Sequence, residues 1–211
     1  MTSPAAGADS AADLPDYAPV PRSALGPALN DQGFYVGRVQ RNLYWVTDGV
    51  YQSAFLTTPD HDTLMFIDVV NAGWVPIYNL NLSEDVIGYM GAPAVALAYP
   101  WTHFICGHLG RLATRDDVAV HQQYIADIEA SSKEALATVN PVPFYVAAGE
   151  NAWAGVKAHL DTVTERAAAP VIAKYTGVLA AADIEIFTTT TTFAIMQSLR
   201  LDRGPSGPVH P

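Results

Sequence analysis

The chain has 211 residues, 50% hydrophobic and only 15% charged, with 11 Lys+Arg against 21 Asp+Glu for a formal net charge of −10. That length predicts one domain plus a tail rather than two full domains, and the apolar content excludes wholesale disorder. The negative charge opposes phosphate backbones and anionic headgroups, so neither nucleic acid nor a membrane surface is an expected partner.

A single cysteine, Cys106, permits no internal disulfide and no multi-thiolate zinc site, which fits a reducing compartment. Residues 1–12 show no cationic start followed by an apolar stretch, so no secretory signal is read. The longest nearly apolar stretch, residues 90–101, falls short of the roughly 20 residues that a spanning helix needs, and it contains Pro93 and Pro100. The expected location is cytoplasmic.

In chain order, residues 1–29 are rich in Ala, Pro, Ser, Gly and Asp and read as a disordered or strap-like tail. Residues 34–39, 43–47 and 50–57 are short aromatic and β-branched runs broken by Arg41-Asn42 and Asp48-Gly49, the pattern of an antiparallel meander. Residues 63–70 are apolar on both faces except for Asp68 and predict a central buried strand ending in a polar residue. After a loop holding Asn71, Gly73 and Pro76, Ser83 with Glu84 and Asp85 marks a helix start, and Pro93 is expected to interrupt that helix.

Residues 102–106 predict a short strand delivering Gly107-His108 at its carboxyl end. The strongest helix covers residues 114–138. Thr114 and Asp117 suit a capping box, and Val118, His121, Ile125, Ile128, Ser132, Leu136 and Val139 share one face. Asn140-Pro141 should stop it. Two further helices are expected over residues 151–168, with Trp153 inward, and 170–181, started by Pro170. Residues 184–187 suit a strand, the threonine run 188–192 has poor helix propensity but good capping potential, and Phe193, Met196 and Leu199 or Arg200 resume helical spacing. Residues 202–211 read as a second disordered tail. A small sheet with several helices predicts a layered α/β or α+β domain over residues 30–201.

No Gly-x-Ser-x-Gly elbow and no phosphate-cradling glycine pattern occurs, so serine-hydrolase and nucleotide-binding chemistry lack support. A metal site needs imidazoles and carboxylates converging from separate elements. Of six histidines, His210 and His159 read as surface residues, His121 as a structural residue on a helix face, and His103 as strand packing. His108 follows a glycine at a strand end, where α/β ligands sit, and packing and ligation are both open for it. Asp68 also ends a strand; a buried carboxylate needs a cation or backbone donors, and both alternatives stand. Arg111 and Arg115 flank the start of the long helix and suit an anion weakly, against pairing with Asp116 or Asp117.

Asn42-Leu43-Tyr44-Trp45-Val46-Thr47-Asp48-Gly49-Val50-Tyr51-Gln52-Ser53-Ala54-Phe55-Leu56 resembles the opening hairpins of metallo-β-lactamase-fold hydrolases. Residues 63–74, followed by Val75-Pro76, resemble the segment carrying that superfamily's bridging aspartate. Gly107-His108-Leu109-Gly110-Arg111 with its capped helix resembles the strand-end histidine of the last zinc motif in one bacterial branch, and Ser198-Leu199-Arg200 resembles that branch's closing helix. The resemblance spans residues 30–203 and implies a partial metallo-β-lactamase-like αββα sandwich, a small mixed sheet packed by helices.

The superfamily's His-x-His-x-Asp-His signature and the histidine after it do not occur here; residues 57–63 join the meander directly to the aspartate strand, as though an internal segment were excised near residues 58–63. The resemblance implies zinc, with Asp68 and His108 as the matching metal positions and His61 and His103 as auxiliaries at most. A catalytic zinc needs about three protein ligands and an open site for water. The expectation is therefore an incomplete site, weak zinc binding and a weakly active or inactive hydrolase of unknown small-molecule substrate. The alternatives are a non-enzymatic self-assembly or interaction module and a deletion variant without independent function. Loss of half a sandwich leaves sheet surface open, so homodimerisation is an expected means of covering it.

Overall fold

The computed structural model describes residues 17–41, 43–49, 52–56, 63–107 and 110–201. The predicted meander is present: β1 (Tyr35–Gln40), β2 (Leu43–Thr47) and β3 (Gln52–Leu56) form a three-stranded antiparallel sheet in sequence order. Along β2 the pleat alternates, burying Leu43, Trp45 and Thr47 and leaving Tyr44 and Val46 half covered. Leu43 and Trp45 pack with Val39 and reach Leu112 in the loop before the long helix.

A second sheet is a parallel pair, β4 (Thr63–Phe66) and β5 (His103–Cys106), in register Thr63↔His103 to Phe66↔Cys106. Mixed α+β architecture is therefore observed, with the strands divided between two sheets instead of one. The strand expected over residues 63–70 is shorter and less central. It stops at Phe66, Asp68 turns the chain at φ +62, and Met65 is 50% exposed. Its apolar run satisfied both faces in sequence, but β5 is its one ladder partner among the described residues.

Between the two strands lie the four-residue turn α1 (Asn79–Leu82) and helix α2 (Val86–Ala98). Asp85 caps α2 by accepting the Gly88 N–H at 2.8 Å. Pro93 does not interrupt this helix; it sits buried inside it beside Tyr89, Ala92 and Ala96, where packing outweighs the missing N–H. Helix α3 (Arg115–Thr138) carries the predicted capping box, and its buried face, from Val118 through Ile128 and Ser132 to Ala135, follows the expected spacing.

Beyond α3 the helices differ from expectation in three ways. A short helix, α4 (Val142–Ala148), follows Pro141, which occupies its N-cap position. One helix, α5 (Ala152–Tyr175), replaces the two expected and runs straight through Pro170, and Trp153, expected inward, is 81% exposed in its first turn. Residues 184–187 are not a strand: α6 (Glu185–Leu201) begins there and includes the whole threonine run. Thr190 and Thr192 donate to the carbonyls of Ile186 and Thr188 at 2.7 and 2.8 Å, satisfying their hydroxyls within the helix despite low intrinsic propensity.

Helices α2, α3, α5 and α6 enclose the main core of Leu80, Tyr89, Tyr124, Ile125, Ile128, Val171, Tyr175 and Ile195. Fully buried Tyr124 meets Tyr175 edge-on at 5.1 Å and donates its hydroxyl to Thr188 at 3.1 Å, so its polar tip is satisfied. A second cluster, including Val70, Trp101, Phe104 and Val118, fastens α2 and the start of α3 to the parallel pair.

The amino-terminal segment from Tyr17 to Leu29 crosses these elements. The Ala18 N–H bonds Asp183, Ala24 is buried with its carbonyl accepting from Trp74 Nε1 at 3.1 Å, and Gly26 lies against the Gly110 backbone. No described helix is long and apolar enough to cross a membrane.

Candidate functional site

Both strands of the parallel pair end at the same edge, which is where open α/β sheets place ligands. After Phe66 the chain turns, and Asp68 directs its carboxylate at Gly107, the residue following β5. A Cβ at position 107 would lie 2.2 Å from Asp68 Oδ1 and 2.8 Å from Asp68 N, so only glycine permits this approach. His108, one residue further, lies outside the described residues, as do His61 and His210.

Beneath Asp68 is a network of neutral polar groups. Asn81 Nδ2 donates to the Asp68 carbonyl at 2.9 Å, to Asn71 Oδ1 at 3.1 Å and to Tyr89 Oη at 3.2 Å. Its Oδ1 accepts the Ile77 N–H at 2.8 Å and Asn71 Nδ2 at 3.4 Å. Tyr89 Oη is 3.5 Å from His121 Nε2. Tyr89 Oη and His121 Nε2 are the facing atoms of this pair, and His121 Nδ1 is buried without a hydrogen-bond partner. Burial lowers the His121 pKa to about 4, keeping the ring neutral near neutral pH, and burial raises the Tyr89 hydroxyl above its ordinary range, with the nearby Tyr124 hydroxyl and Asp68 carboxylate acting in the same direction.

His103 sits at the opposite end of β5, its Nδ1 2.8 Å from Thr102 Oγ1. Three residues of strand, about 10 Å, separate it from Cys106, so it does not reach the edge where Asp68 lies. Cys106 is at that edge but fully buried, and burial pushes its thiol pKa up despite donors from Ala72 N–H and Gln52 Nε2, the latter at 3.8 Å. His159, on α5, packs against Phe144 and faces the Val139 carbonyl at 3.3 Å.

The two arginines are engaged by protein groups. Arg111 forms a bidentate pair with Asp117, with N–O distances of 2.8 and 2.7 Å, and Asp117 also accepts the Thr114 N–H and hydroxyl at 2.7 Å. Burial works against the Asp117 charge, but the Arg111 and Thr114 donors prevail and hold its pKa below the ordinary carboxylate value. Arg115 donates to carbonyls of Leu97 and Tyr99 at the end of α2 and stacks over Trp101, 4.8 Å from the ring centroid. Neither guanidinium is presented as an anion receptor; one buttresses the cap of α3 and the other closes α2.

A zinc centre that activates water asks for about three protein donors. Asp68 meets that chemistry with one hard carboxylate, and among the described residues no group of three or more His, Cys, Asp or Glu gathers to hold a metal. Asn71, Asn81 and Tyr89 were not singled out by the sequence; isolated amides in a loop carry no periodicity, and the only hint was the frequency of asparagine among positive-φ residues. Two surface cavities of about 500 and 410 Å³ lie between α5 and α6; Tyr78 and Asn79 wall the smaller, and Asp68 lines neither. In comparisons with known protein families, curated proteins and solved structures, nothing matches this chain.

Proposed function

We propose that the chain is a metallo-β-lactamase-fold hydrolase-family protein with an incomplete metal centre, in which Asp68 and His108 hold a divalent cation weakly and hydrolysis is slow or absent. The observation that supports this most is the Asp68 carboxylate packed against Gly107, one residue before His108, at the carboxyl end of a parallel strand pair. The capped α3 that follows and the opening antiparallel hairpins agree with the same ancestry. Two donors leave a cation largely solvated and its bound water poorly oriented, so little acidification of that water follows. The test is zinc loading followed by dialysis and metal analysis, together with hydrolysis of p-nitrophenyl acetate. Expected are substoichiometric zinc, a weak titratable site lost in Asp68→Asn, and ester hydrolysis at the blank rate. Stoichiometric retained zinc or zinc-dependent turnover overturns the reading.

A second reading, a self-assembling module, is favoured by β4. Among the described residues one edge of this strand is unpaired, the strand carries no charge, and Met65 and Ile67 are exposed. Light scattering across a dilution series should then show a dimer that Met65→Lys dissociates; a monomer at every concentration removes this reading.

A further inference from the structure

We propose that α4 and the first turns of α5 form a docking knob whose apolar tip enters the headgroup region of a zwitterionic, phosphatidylcholine-type lipid surface.

From Ala135 to Val156 the sequence carries one charged residue, Glu150. Within that stretch α4 (Val-Pro-Phe-Tyr-Val-Ala-Ala) is apolar throughout, yet none of its residues is buried. Val142 is 58% exposed, Val146 76% and, across the turn, Trp153 81%. A surface helix of a globular domain normally keeps its apolar residues for the core and shows polar ones to water, and α4 does neither.

The position of the knob follows from the helix ends. His159 Nε2 faces the Val139 carbonyl at 3.3 Å, so the C-cap of α3 is level with residue 159 of α5. Residues 152–158 therefore run on past α3 by about 10 Å, at 1.5 Å per residue. Helix α4 is laid against this projection at Gly155, where an added Cβ would meet the Phe144 carbonyl oxygen and Tyr145 Cα at 3.2 Å. Helices seated in a bilayer interface sink about 5–10 Å, which matches the height of the projection.

The backbone of the knob supplies its own hydrogen bonds. Asn140 Oδ1 accepts the Val142 N–H at 3.0 Å, Asn151 Oδ1 accepts the Ala154 N–H at 3.2 Å, and the Asn151 N–H donates to the Ala148 carbonyl at 3.1 Å. Donors satisfied in this way can leave water without penalty. Tyr145 and Trp153, both exposed, are the ring types that settle at headgroup depth.

Area and charge choose the occupant. A stable dimer takes about 800 Å² and about 20–30 residues from each partner, and the four large apolar side chains of this tip, Val142, Tyr145, Val146 and Trp153, fall well short. A lipid surface demands no complementary shape. The net charge of −10 and the Glu150 carboxylate repel anionic headgroups, whereas a choline headgroup offers its ammonium group to that carboxylate.

The test is flotation of the full chain with dioleoylphosphatidylcholine vesicles, together with quenching of tryptophan emission by phosphatidylcholine brominated high on the acyl chain. Trp45 and Trp101 are buried and Trp74 is half-buried, so quenching that Trp153→Phe abolishes reports the tip. Expected are flotation and such quenching. Val146→Glu should lower partitioning by about tenfold or more, because it exchanges an inserted isopropyl group for a charge. Val178→Glu, the same exchange at an exposed position beyond the other end of α5, should partition as wild type does. No flotation, equal losses in the two variants, or Trp153 emission untouched by bromine each overturns the proposal. Tighter binding on adding phosphatidylserine overturns it too, as does a lipid-free dimer that Val146→Glu dissociates in light scattering. If Val146→Glu does not fold, the quenching of wild type against Trp153→Phe decides alone.

Discussion

The Asn81 amide and the Asp68 carbonyl, 2.9 Å apart, join two residues that both hold positive φ. A loop after a strand and a turn before a helix are thus each kept in an unfavourable backbone state by the other. The edge of the parallel sheet is consequently built from conformations that only tertiary contact sustains, and it should respond sharply to small intrusions.

Gly107→Ala is such an intrusion. The added methyl would lie 2.2 Å from Asp68 Oδ1 and 2.8 Å from the Asp68 backbone nitrogen, so the Asp68 turn must shift as well as its side chain. A loss of about 2–3 kcal/mol is expected in urea unfolding. Gly91→Ala is the control: this glycine is exposed inside α2, nothing lies within 4 Å of its added methyl, and stability should rise by about 0.5–1 kcal/mol. Equal effects at the two positions would contradict the close approach.

Asp117 predicts an acid-labile contribution. Its folded pKa is depressed, so the stability it confers is fully present above the unfolded value, near about 4, and is lost as pH falls through the folded value. Asp117→Asn should cost about 2 kcal/mol at pH 7, since charged hydrogen bonds from Arg111 and the α3 cap both weaken. The gap between variant and wild type should close below about pH 4. A gap constant down to pH 2 would show that the charge is not what matters.

His121 titrates in a different window. The folded imidazole has a pKa of about 4 while the unfolded one protonates near 6.5, so the unfolded chain binds the extra proton first. Stability should therefore fall as pH drops from 6.5 towards 4 and level off below, by about 3 kcal/mol in total. His121→Phe should remove that slope and keep the Asp117 slope at lower pH. A wild-type melting temperature flat between pH 7 and 4.5 would mean that the ring is not buried neutral.

Periodicity explains which parts were legible. The meander and α3 announce themselves by alternation and by helical spacing, and Thr114 with Asp117 marks the start of α3. Asp68 reads from sequence as a lone polar residue in an apolar run that is expected to be covered on both faces, whereas β4 leaves Met65 50% exposed. Handedness of backbone is invisible to such patterns: nothing in Asn79-Leu80-Asn81-Leu82 distinguishes a left-handed turn from a loop, so the support under Asp68 stayed hidden. Prolines and threonines misled in the other direction, because local preference was allowed to outweigh burial in α2, α5 and α6.

Pro170 makes that last conflict measurable. It stands on the exposed side of α5, eighteen residues after the helix begins at Ala152, where its ring crowds the preceding turn and it offers no N–H to the Arg166 carbonyl. The helix survives because its other face packs on α3 through Val163, Ala167 and Val171. If packing is overriding propensity, Pro170→Ala should relieve the conflict and stabilise the protein. Part of the roughly 3 kcal/mol difference in helix propensity is offset by the greater freedom alanine gives the unfolded chain, leaving a gain of about 2 kcal/mol. That corresponds to a melting temperature higher by about 4–8 °C for a chain of this size. A melting temperature that stays level or falls would mean instead that proline at this position is needed to seat α5 against its neighbours.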